Sequence, residues 1–458
     1  MPWSPSCIVE LVCRCDSAHY NSYAQQNARL MTQTISTPDL AKQLGNPGFS
    51  VIDVRPMAAY NGWPLLGEAR GGHIPGAIAL PLSWTDDIED TNLKTLLQSK
   101  GLTAEKTVVV YGYSPGDAVA MGDRLTDLGY ENVRTYRAGW EAWAADNSLP
   151  MSRLTRYEKL VHPEWMHRLI KGEHAESYPD NGFAIFHVNF GVPEEYAAGH
   201  IPGAMHLDTN VLESSTSWNR RSAEELHAAL LAHGITHEKT IVLYGRHSSP
   251  DTRDAHPGQS AGHIAAARAA AILMYAGVED VRLLDGGFDA WVSAGYTLEQ
   301  HLRKPVPVAA FGTQIPNRPE LIIDMEAAKA LLADPNGVLI SIRSWPEFSS
   351  EASGYHYIAV KGRIPGAAWG DPGSDAYHME EYRNVDNTMR CYPEIEAKWR
   401  DAGITPEKRA AFFCGTGWRA SETFFYAHIM GWEQVAVYDG GWLEWSSDEN
   451  NPIERGAP

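Results

Sequence analysis

The chain has 458 residues, 44% of them hydrophobic and 21% charged, a balance typical of a folded protein of about two to four domains. Lysine and arginine number 38 against 57 aspartate and glutamate residues, and the net charge of −19 argues against sequence-independent binding to nucleic acid, which needs a basic surface. No apolar run reaches about 18 residues, so we predict no transmembrane helix and no membrane partner.

The amino-terminal segment, residues 1–34, is predicted to be a disordered tail. Its apolar patch has no basic region before it, which argues against a signal peptide. Cys13 and Cys15 lack further cysteine or histidine residues at a suitable spacing, so no metal site is expected. The chain has 5 cysteines and a long middle part with none, which argues against a disulfide framework. This usage fits a reducing compartment or a protein that simply does not use disulfide bridges.

Two sequence elements occur three times, and internal repeats of this kind define the organisation of the chain. The first is a Gly-His-Ile-Pro-Gly-Ala turn at residues 72–77 and 199–204, and with arginine for histidine at 362–367. The second is a Gly-aromatic element at residues 137–143, 285–291 and 439–445. The spacing is that of whole domains. We predict three tandem homologous domains, over residues 35–150, 155–302 and 318–458.

Each repeat contains short apolar, β-branched segments that alternate with helical segments. The predicted strands include residues 51–54 and 108–111, 184–188 and 240–244, and 338–342 and 410–413. This alternation predicts an α/β fold, with a mainly parallel sheet flanked by helices in each domain. Ligands of such sheets bind outside the carboxyl ends of the strands.

The segment after the strand at 410–413 carries the candidate chemistry. Cys414 opens a loop in which Gly415 and Gly417 allow tight backbone turns before a helix begins. Several N–H groups of such a loop converge, and they attract an anion or stabilise a thiolate. The alternative is a buried structural cysteine.

In these elements the chain resembles the rhodanese-like sulfurtransferases, from about residue 37 to its end. The resemblance rests on the Asp53-Val54-Arg55 element, the three turns and the Gly-aromatic elements. The third repeat, with Cys-Gly-Thr-Gly-Trp-Arg at residues 414–419, is similar to three-domain bacterial members. It implies a persulfide-forming cysteine in the third domain and chemistry that needs no cofactor. The cytoplasm is the expected compartment, with the periplasm as the alternative.

The repeats allow the loops to be compared position by position. Gly112 in the first domain and Gly245 in the second stand where Cys414 stands in the third. We therefore expect only the third domain to be catalytic. The first two would cover it or present a surface to partners.

The resemblance implies roles for the residues of the third loop. Cys414 is the predicted nucleophile, and the predicted substrate-binding residues are Gly415, Thr416, Gly417, Trp418, Arg419 and Arg343. For Arg343, which follows a strand as Arg55 does, structural support of the site is the alternative. Four residues separate Cys414 from Arg419, one fewer than in the phosphatases that share this fold, and the shorter loop favours sulfur over phosphate.

The expected reaction moves a sulfane sulfur from a small anionic donor, thiosulfate or 3-mercaptopyruvate, to cyanide or a thiol through a Cys414 persulfide. This is covalent ping-pong catalysis. Two alternatives remain open at this point. One is a sulfur relay from a protein donor such as a cysteine desulfurase, and the other is a scaffold without catalysis that binds partners.

Overall fold

The computed structural model describes residues 34–85, 88–191, 193–246 and 262–458. The tail predicted over residues 1–34 lies outside these ranges except for Thr34. Within the described ranges, no helix is both long and apolar enough to cross a membrane. Three parallel sheets occur, one in each repeat, so the predicted α/β fold of three tandem domains is confirmed.

The first domain contains a four-stranded parallel sheet in the order β2-β1-β3-β4. Ser36 caps the first helix through a bond from the N–H of Asp39, and Pro38 lies in the first turn, where both residue types are favoured. The strands are β1 (Phe49–Asp53), β2 (Ile78–Ala79), β3 (Thr107–Tyr111) and β4 (Val133–Thr135). The helices are α1 (Thr37–Gln43), α2 (Met57–Asn61), α3 (Asp90–Ser99), α4 (Pro115–Asp127) and α5 (Gly139–Ala145).

The second domain contains a five-stranded parallel sheet in the order β5-β9-β8-β6-β7. The strands are β5 (Leu160–Val161), β6 (Phe183–Asn189), β7 (Met205–Asp208), β8 (Thr240–Tyr244) and β9 (Val281–Leu284). The helices are α6 (Pro163–Ile170), α7 (Glu194–Ala198), α8 (Ala223–Ala232), α9 (Gly262–Ala276) and α10 (Gly287–Ser293). The central strands are apolar and buried because helices cover both faces of the sheet.

The third domain repeats the strand order of the second as β10-β14-β13-β11-β12. The strands are β10 (Ile322–Ile323), β11 (Gly337–Ser341), β12 (Ala368–Trp369), β13 (Arg409–Phe413) and β14 (Val435–Tyr438). The helices are α11 (Met325–Ala333), α12 (Trp345–Phe348), α13 (Tyr392–Asp401), α14 (Trp418–Ile429) and α15 (Gly441–Ser447). Ser341 and Phe413 are register partners at the ends of β11 and β13. Cys414 therefore lies at the carboxyl edge of the sheet, where ligands of such sheets bind.

The second and third domains share one hydrophobic core, to which α9 and α14 contribute. Helix α9 is rich in alanine, and Ala265, Ala266 and Ala269 are fully buried. Small side chains allow helices to approach closely, and α14 correspondingly buries Phe424 and Phe425. The two domains are therefore packed as one compact unit, whereas the first domain forms a separate one.

One buried carboxyl group in this unit has no cation among its hydrogen-bond partners in the described residues. Asp285 follows β9, is 6% exposed, and accepts a bond of 2.7 Å from the N–H of Met389. Burial raises the pKa of Asp285 to about 8, although the bond from Met389 opposes this shift. The folded protein therefore holds a proton at Asp285 that the unfolded chain releases at a much lower pH.

Replacing this residue by Asp285→Asn is expected to change how stability depends on pH. The folded-state pKa is raised, so the contribution of Asp285 is complete below the unfolded pKa and is lost as pH rises towards about 8. The free energy of unfolding of the variant, relative to the native protein, should rise from pH 5 to pH 8, by at most about 1.4 kcal/mol per pH unit. Urea unfolding at several pH values measures this, and equal slopes for the two proteins would contradict it.

Candidate active site

The Cys414 loop connects β13 to α14 through a tight turn. Cys414 is 0% exposed, and Gly417 adopts a φ of +88° at the N-cap of α14. That left-handed conformation suits glycine, since any other side chain would add steric strain. No side chain caps this helix end by a hydrogen bond. The first N–H groups of α14 therefore have no side-chain acceptor at the cap, a feature of helix ends that bind anions.

The backbone of the loop is held from behind by the third Gly-aromatic element. The N–H of Trp442 donates to the carbonyl of Cys414 at 2.8 Å, and that of Leu443 donates to the carbonyl of Gly415 at 3.0 Å. Gly441 has a φ of +53°, and a Cβ at this position would lie 2.7 Å from the Cys414 oxygen. The close approach of α15 thus requires glycine at residue 441.

The same hydrogen bond occurs in all three domains. The N–H of Trp140 donates to Gly112 at 3.1 Å, and that of Phe288 donates to Gly245 at 2.9 Å. These acceptors occupy the position of Cys414 relative to the strand and to the Gly-aromatic helix. The structure therefore places Gly112 and Gly245 at the positions equivalent to Cys414.

The loop of the first domain also differs at its helix end. Ser114 and Asp117 form a capping box at α4, in which the Asp117 carboxylate accepts from the N–H of Ser114 at 2.9 Å. A Cβ on Gly112 would lie 3.3 Å from Oδ2 of Asp117. A carboxylate of the domain itself therefore occupies the region where the third domain carries its thiol.

Arg419 and Arg343 converge on one carboxylate below the loop. The two terminal nitrogens of Arg419 donate to the two oxygens of Glu347 at 2.9 Å and 3.0 Å. Nε of Arg343 donates to Glu347 at 3.3 Å, and Nη1 donates to the carbonyl of Gly362 at 2.7 Å. All three side chains are at most 1% exposed. Arg55 of the first domain makes the same bond to Gly72, at 2.6 Å, which fits a supporting role at this position.

The charge of Glu347 is favoured by this arrangement. Burial by itself would raise the pKa of Glu347, but Arg419 and then Arg343 outweigh that effect and hold the pKa below its ordinary value. The bidentate geometry with Arg419 is the strong form of such a pair. The Arg419 guanidinium is thus fixed and occupied at two of its nitrogens.

Aromatic side chains of the third domain pack against the loop. The ring of Tyr355 lies so close to Gly415 that a Cβ there would be 2.2 Å from a ring carbon. Tyr355 stacks on Tyr357, with centroids 5.3 Å apart. Tyr377 meets the edge of Tyr355 at 5.4 Å. Gly415 is therefore required by packing as well as by the loop.

The second domain extends this aromatic group. Trp218 stacks on Tyr357 with centroids 5.6 Å apart, and Phe190 stacks on Trp218 at 5.2 Å. The indole N–H of Trp418 donates to Glu213 of the second domain at 2.9 Å. Burial raises the pKa of Glu213 to about 7, against the opposing effect of Arg268. The aromatic side chains beside the loop therefore come from both domains.

The structure brings all the predicted site residues together in or below one loop, while the roles assigned to them stay predictions. Sequence reasoning missed Glu347, Tyr355, Tyr357 and Trp218. The Ser344-x-x-Glu347 spacing of a capping box was a signal for Glu347. The aromatic residues had no comparable signal, because they approach the loop through tertiary contacts.

Fold and site together define an α/β protein with a buried thiol in a glycine-containing loop at the end of a parallel sheet. The rhodanese-like domain family matches residues 36–146, 179–294 and 324–448. The chain therefore belongs to the rhodanese-like domain family, as the sequence motifs predicted.

Two curated relatives act in sulfur chemistry by name. The chain is 42% identical over 423 residues to thiosulfate sulfurtransferase YnjE of Escherichia coli (strain K12), which covers 92% of each protein. It is 27% identical over 276 residues to the sulfur carrier protein TtuD of Thermus thermophilus, covering 57% of this chain and 87% of the relative. The relatives support a sulfurtransferase-type function, with a sulfur donor and a sulfur acceptor as partners.

Solved structures of EanB are also similar. A variant of EanB in complex with ergothioneine is 47% identical, has a TM-score of 0.90, and covers 93% of this chain and 99% of that chain. Another, described as a cysteine persulfide in a tetrahedral intermediate state with ergothioneine, is 46% identical with a TM-score of 0.90, covering 93% and 100%. A persulfide cysteine thus occurs in a protein of the same fold.

The contact of Gly441 with the loop can be tested against its counterpart in the first domain. Gly441→Ala should cost about 1–2 kcal/mol of stability for the left-handed conformation, and it should also displace the Cys414 carbonyl. We expect kcat/KM for sulfur transfer to fall by about 100-fold, as for a small misplacement of reacting groups.

Gly139→Ala is the matched control, with a φ of +66° and a Cβ that would lie 3.0 Å from the Gly112 oxygen. It should lower stability similarly and leave kcat/KM unchanged. Thermal unfolding and steady-state kinetics measure both variants. Equal kinetic losses in the two variants would contradict a specific role of Gly441 at the thiol.

Proposed function

We propose that this protein transfers sulfane sulfur through a persulfide on Cys414 and that only the third domain is catalytic. The observation that carries this proposal is the contrast among three equivalent loop positions. Cys414 lies in the third, whereas Gly112 and Gly245 receive the same backbone hydrogen bond in the other two. Without a thiol, the first two loops have no nucleophile at this position.

Each half-reaction breaks one bond to sulfur and forms another. The Cys414 thiolate attacks the outer sulfur of thiosulfate, the S–S bond breaks, and sulfite leaves. With 3-mercaptopyruvate the C–S bond breaks and pyruvate leaves after protonation. A thiolate or cyanide then attacks the outer sulfur of the persulfide, and the Cys414 thiolate is released.

The loop residues have distinct proposed roles in this reaction. The N–H groups of Gly415, Thr416, Gly417, Trp418 and Arg419 would bind the anionic sulfur as an oxyanion hole binds oxygen. The Arg419 side chain supplies a fixed positive charge near the thiol. Because it is paired with Glu347, we propose that Arg419 also helps to hold the shape of the loop. Arg343, held by Glu347 and Gly362, is likewise proposed to shape the loop. We propose this supporting role for Arg343 ahead of direct contact with the substrate.

A second candidate acceptor is hercynine, which is found in solved structures of EanB. Hercynine is a histidine with a trimethylammonium group, and ergothioneine carries one additional sulfur on its imidazole ring. Transfer from the persulfide would insert the outer sulfur into a ring C–H bond and return the Cys414 thiol. Trp218, Phe190, Tyr355 and Tyr357 favour this candidate, because aromatic faces attract quaternary ammonium groups.

The first half-reaction is tested by mass spectrometry of the full-length protein after incubation with thiosulfate or with 3-mercaptopyruvate. We expect an adduct of about 32 Da, one sulfur atom, on Cys414. Cys414→Ser should show none. Cys391→Ser is the control for the other cysteine of the described residues and should keep the adduct.

Other outcomes of this experiment would identify the alternatives. An adduct formed only with a cysteine desulfurase and its substrate would show a sulfur relay from a protein donor. No adduct with any of these donors would favour a scaffold that binds partners. Phosphatase activity that depends on Cys414, without sulfur transfer, would overturn the proposal.

The acceptor is tested by offering cyanide, a thiol or hercynine to the persulfidated protein. Transfer to hercynine should yield ergothioneine, which mass spectrometry detects. Trp218→Leu should reduce transfer to hercynine by about 3- to 30-fold, the value of one cation–π contact, and should leave transfer to cyanide nearly unchanged. Equal losses for both acceptors, or no ergothioneine from the native protein, would exclude this candidate.

A further inference from the structure

The second and third domains contact each other through reciprocal elements. In the second domain, residues 213 and 220 pair across a short hairpin, and the N–H of Arg220 donates to Asp439 of the third domain at 2.9 Å. In the third domain, residues 383 and 389 pair in the same way, and the N–H of Met389 donates to Asp285 of the second domain at 2.7 Å. Asp285 and Asp439 occupy equivalent positions, directly after β9 and β14.

The charges at the equivalent helix positions are reversed. In the second domain, Arg268 of α9 pairs with Glu213 of the hairpin at 2.9 Å. In the third domain, Glu422 of α14 pairs with Arg383 of the hairpin at 3.0 Å. The buried cation on a helix therefore comes from the second domain, and the buried anion comes from the third.

The reversal gives the two halves of the contact different electrostatics. Nη2 of Arg268 donates to Asp439 at 2.6 Å, so this carboxylate has a buried cation as partner. Asp285 has Glu422 in place of that arginine, and its pKa is raised by burial. The buried arginine thus binds the aspartate next to the Cys414 loop. The equivalent aspartate next to the cysteine-free loop of the second domain has no arginine at this position.

Arg268 connects three parts of the candidate site. Through Glu213 it reaches the indole of Trp418, which begins α14. Through Asp439 it reaches the turn that leads into α15, where the N–H of Trp442 donates to the Cys414 carbonyl. Nη2 also donates at 2.9 Å to the carbonyl of Trp218, a residue with a φ of +62°.

The remaining nitrogen of Arg268 faces the loop itself. Nη1 is buried and has no hydrogen-bond partner among the described residues. A Cβ on Gly417 would lie 3.0 Å from it. The guanidinium thus lies against the left-handed turn that aims the loop N–H groups.

We infer that Arg268 of the cysteine-free second domain is a positioning residue for sulfur transfer at Cys414, an inference that rests on the proposed function. Its planar guanidinium fixes the Trp218 carbonyl, Glu213 and Asp439 at once, which a lysine ammonium cannot reproduce. The site of the third domain is therefore incomplete without the second. This explains why a domain without a nucleophile is packed on the catalytic one through a shared core.

The test compares Arg268→Gln and Arg268→Lys with Arg282→Gln in the full-length protein. Arg282 is a matched control, since it is a buried arginine of the same domain that pairs with Asp280 at 2.7 Å. Its hydrogen bonds among the described residues go to Asp280 and to the carbonyl of Ser177. The readouts are kcat and KM for persulfide formation, the rate of Cys414 alkylation by iodoacetamide, and the unfolding temperature. Alkylation of Cys414 does not require sulfur transfer. It therefore tests the positioning role of Arg268 even if the proposed sulfur transfer is wrong.

We expect Arg268→Gln to lower kcat at least tenfold with little change in the donor KM, and to slow or speed alkylation of Cys414 by a similar factor. Arg268→Lys should keep the fold and still lose several-fold in kcat. Arg282→Gln should lower only the unfolding temperature. Arg268→Gln leaves the buried Glu213 carboxylate without its cation, which could prevent folding. In that case the double variant Arg268→Gln, Glu213→Gln removes this charge and should show the same loss in kcat. Native kcat in any folded Arg268 variant, or an equal loss in Arg282→Gln, would overturn the inference.

Discussion

Two backbone hydrogen bonds fix the Cys414 loop, those from Trp442 and Leu443 to the carbonyls of Cys414 and Gly415. These bonds occupy the carbonyls of Cys414 and Gly415 and so restrict the orientation of the peptide groups that follow the thiol. The arrangement depends on Gly441, since a side chain there would collide with the Cys414 oxygen. The terminal Gly-aromatic element of each repeat therefore serves the loop as well as the core.

The first of these two hydrogen bonds has a counterpart in each of the other domains, whereas the residues around it differ. The first domain has Gly112 beside a self-capped helix, and the second has Gly245. The third has a thiol, a helix end without a side-chain cap, and Arg419 held by Glu347. The same scaffold thus occurs with and without the thiol, as expected when function depends on the residues of a site and not on the fold.

The second domain contributes to the surroundings of the thiol through side chains. Trp218 and Phe190 extend the aromatic group, and Glu213 binds the indole of Trp418. Arg268 compensates the buried charges of Glu213 and Asp439, which would be costly to bury alone. These contacts connect the second domain directly to the Cys414 loop.

The sequence by itself determined the three repeats, their parallel α/β sheets, and the thiol that distinguishes the third loop. Those features follow from short local patterns of apolar runs, turn glycines and loop spacing, which can be recognised in one sequence without its structure. The tertiary structure alone decided that Arg419 binds Glu347, that Tyr355 packs on Gly415, and that Arg268 reaches Asp439. Such pairs are far apart in sequence and carry no periodic signal, because their energies depend on burial and on neighbours that exist only once the domains have packed.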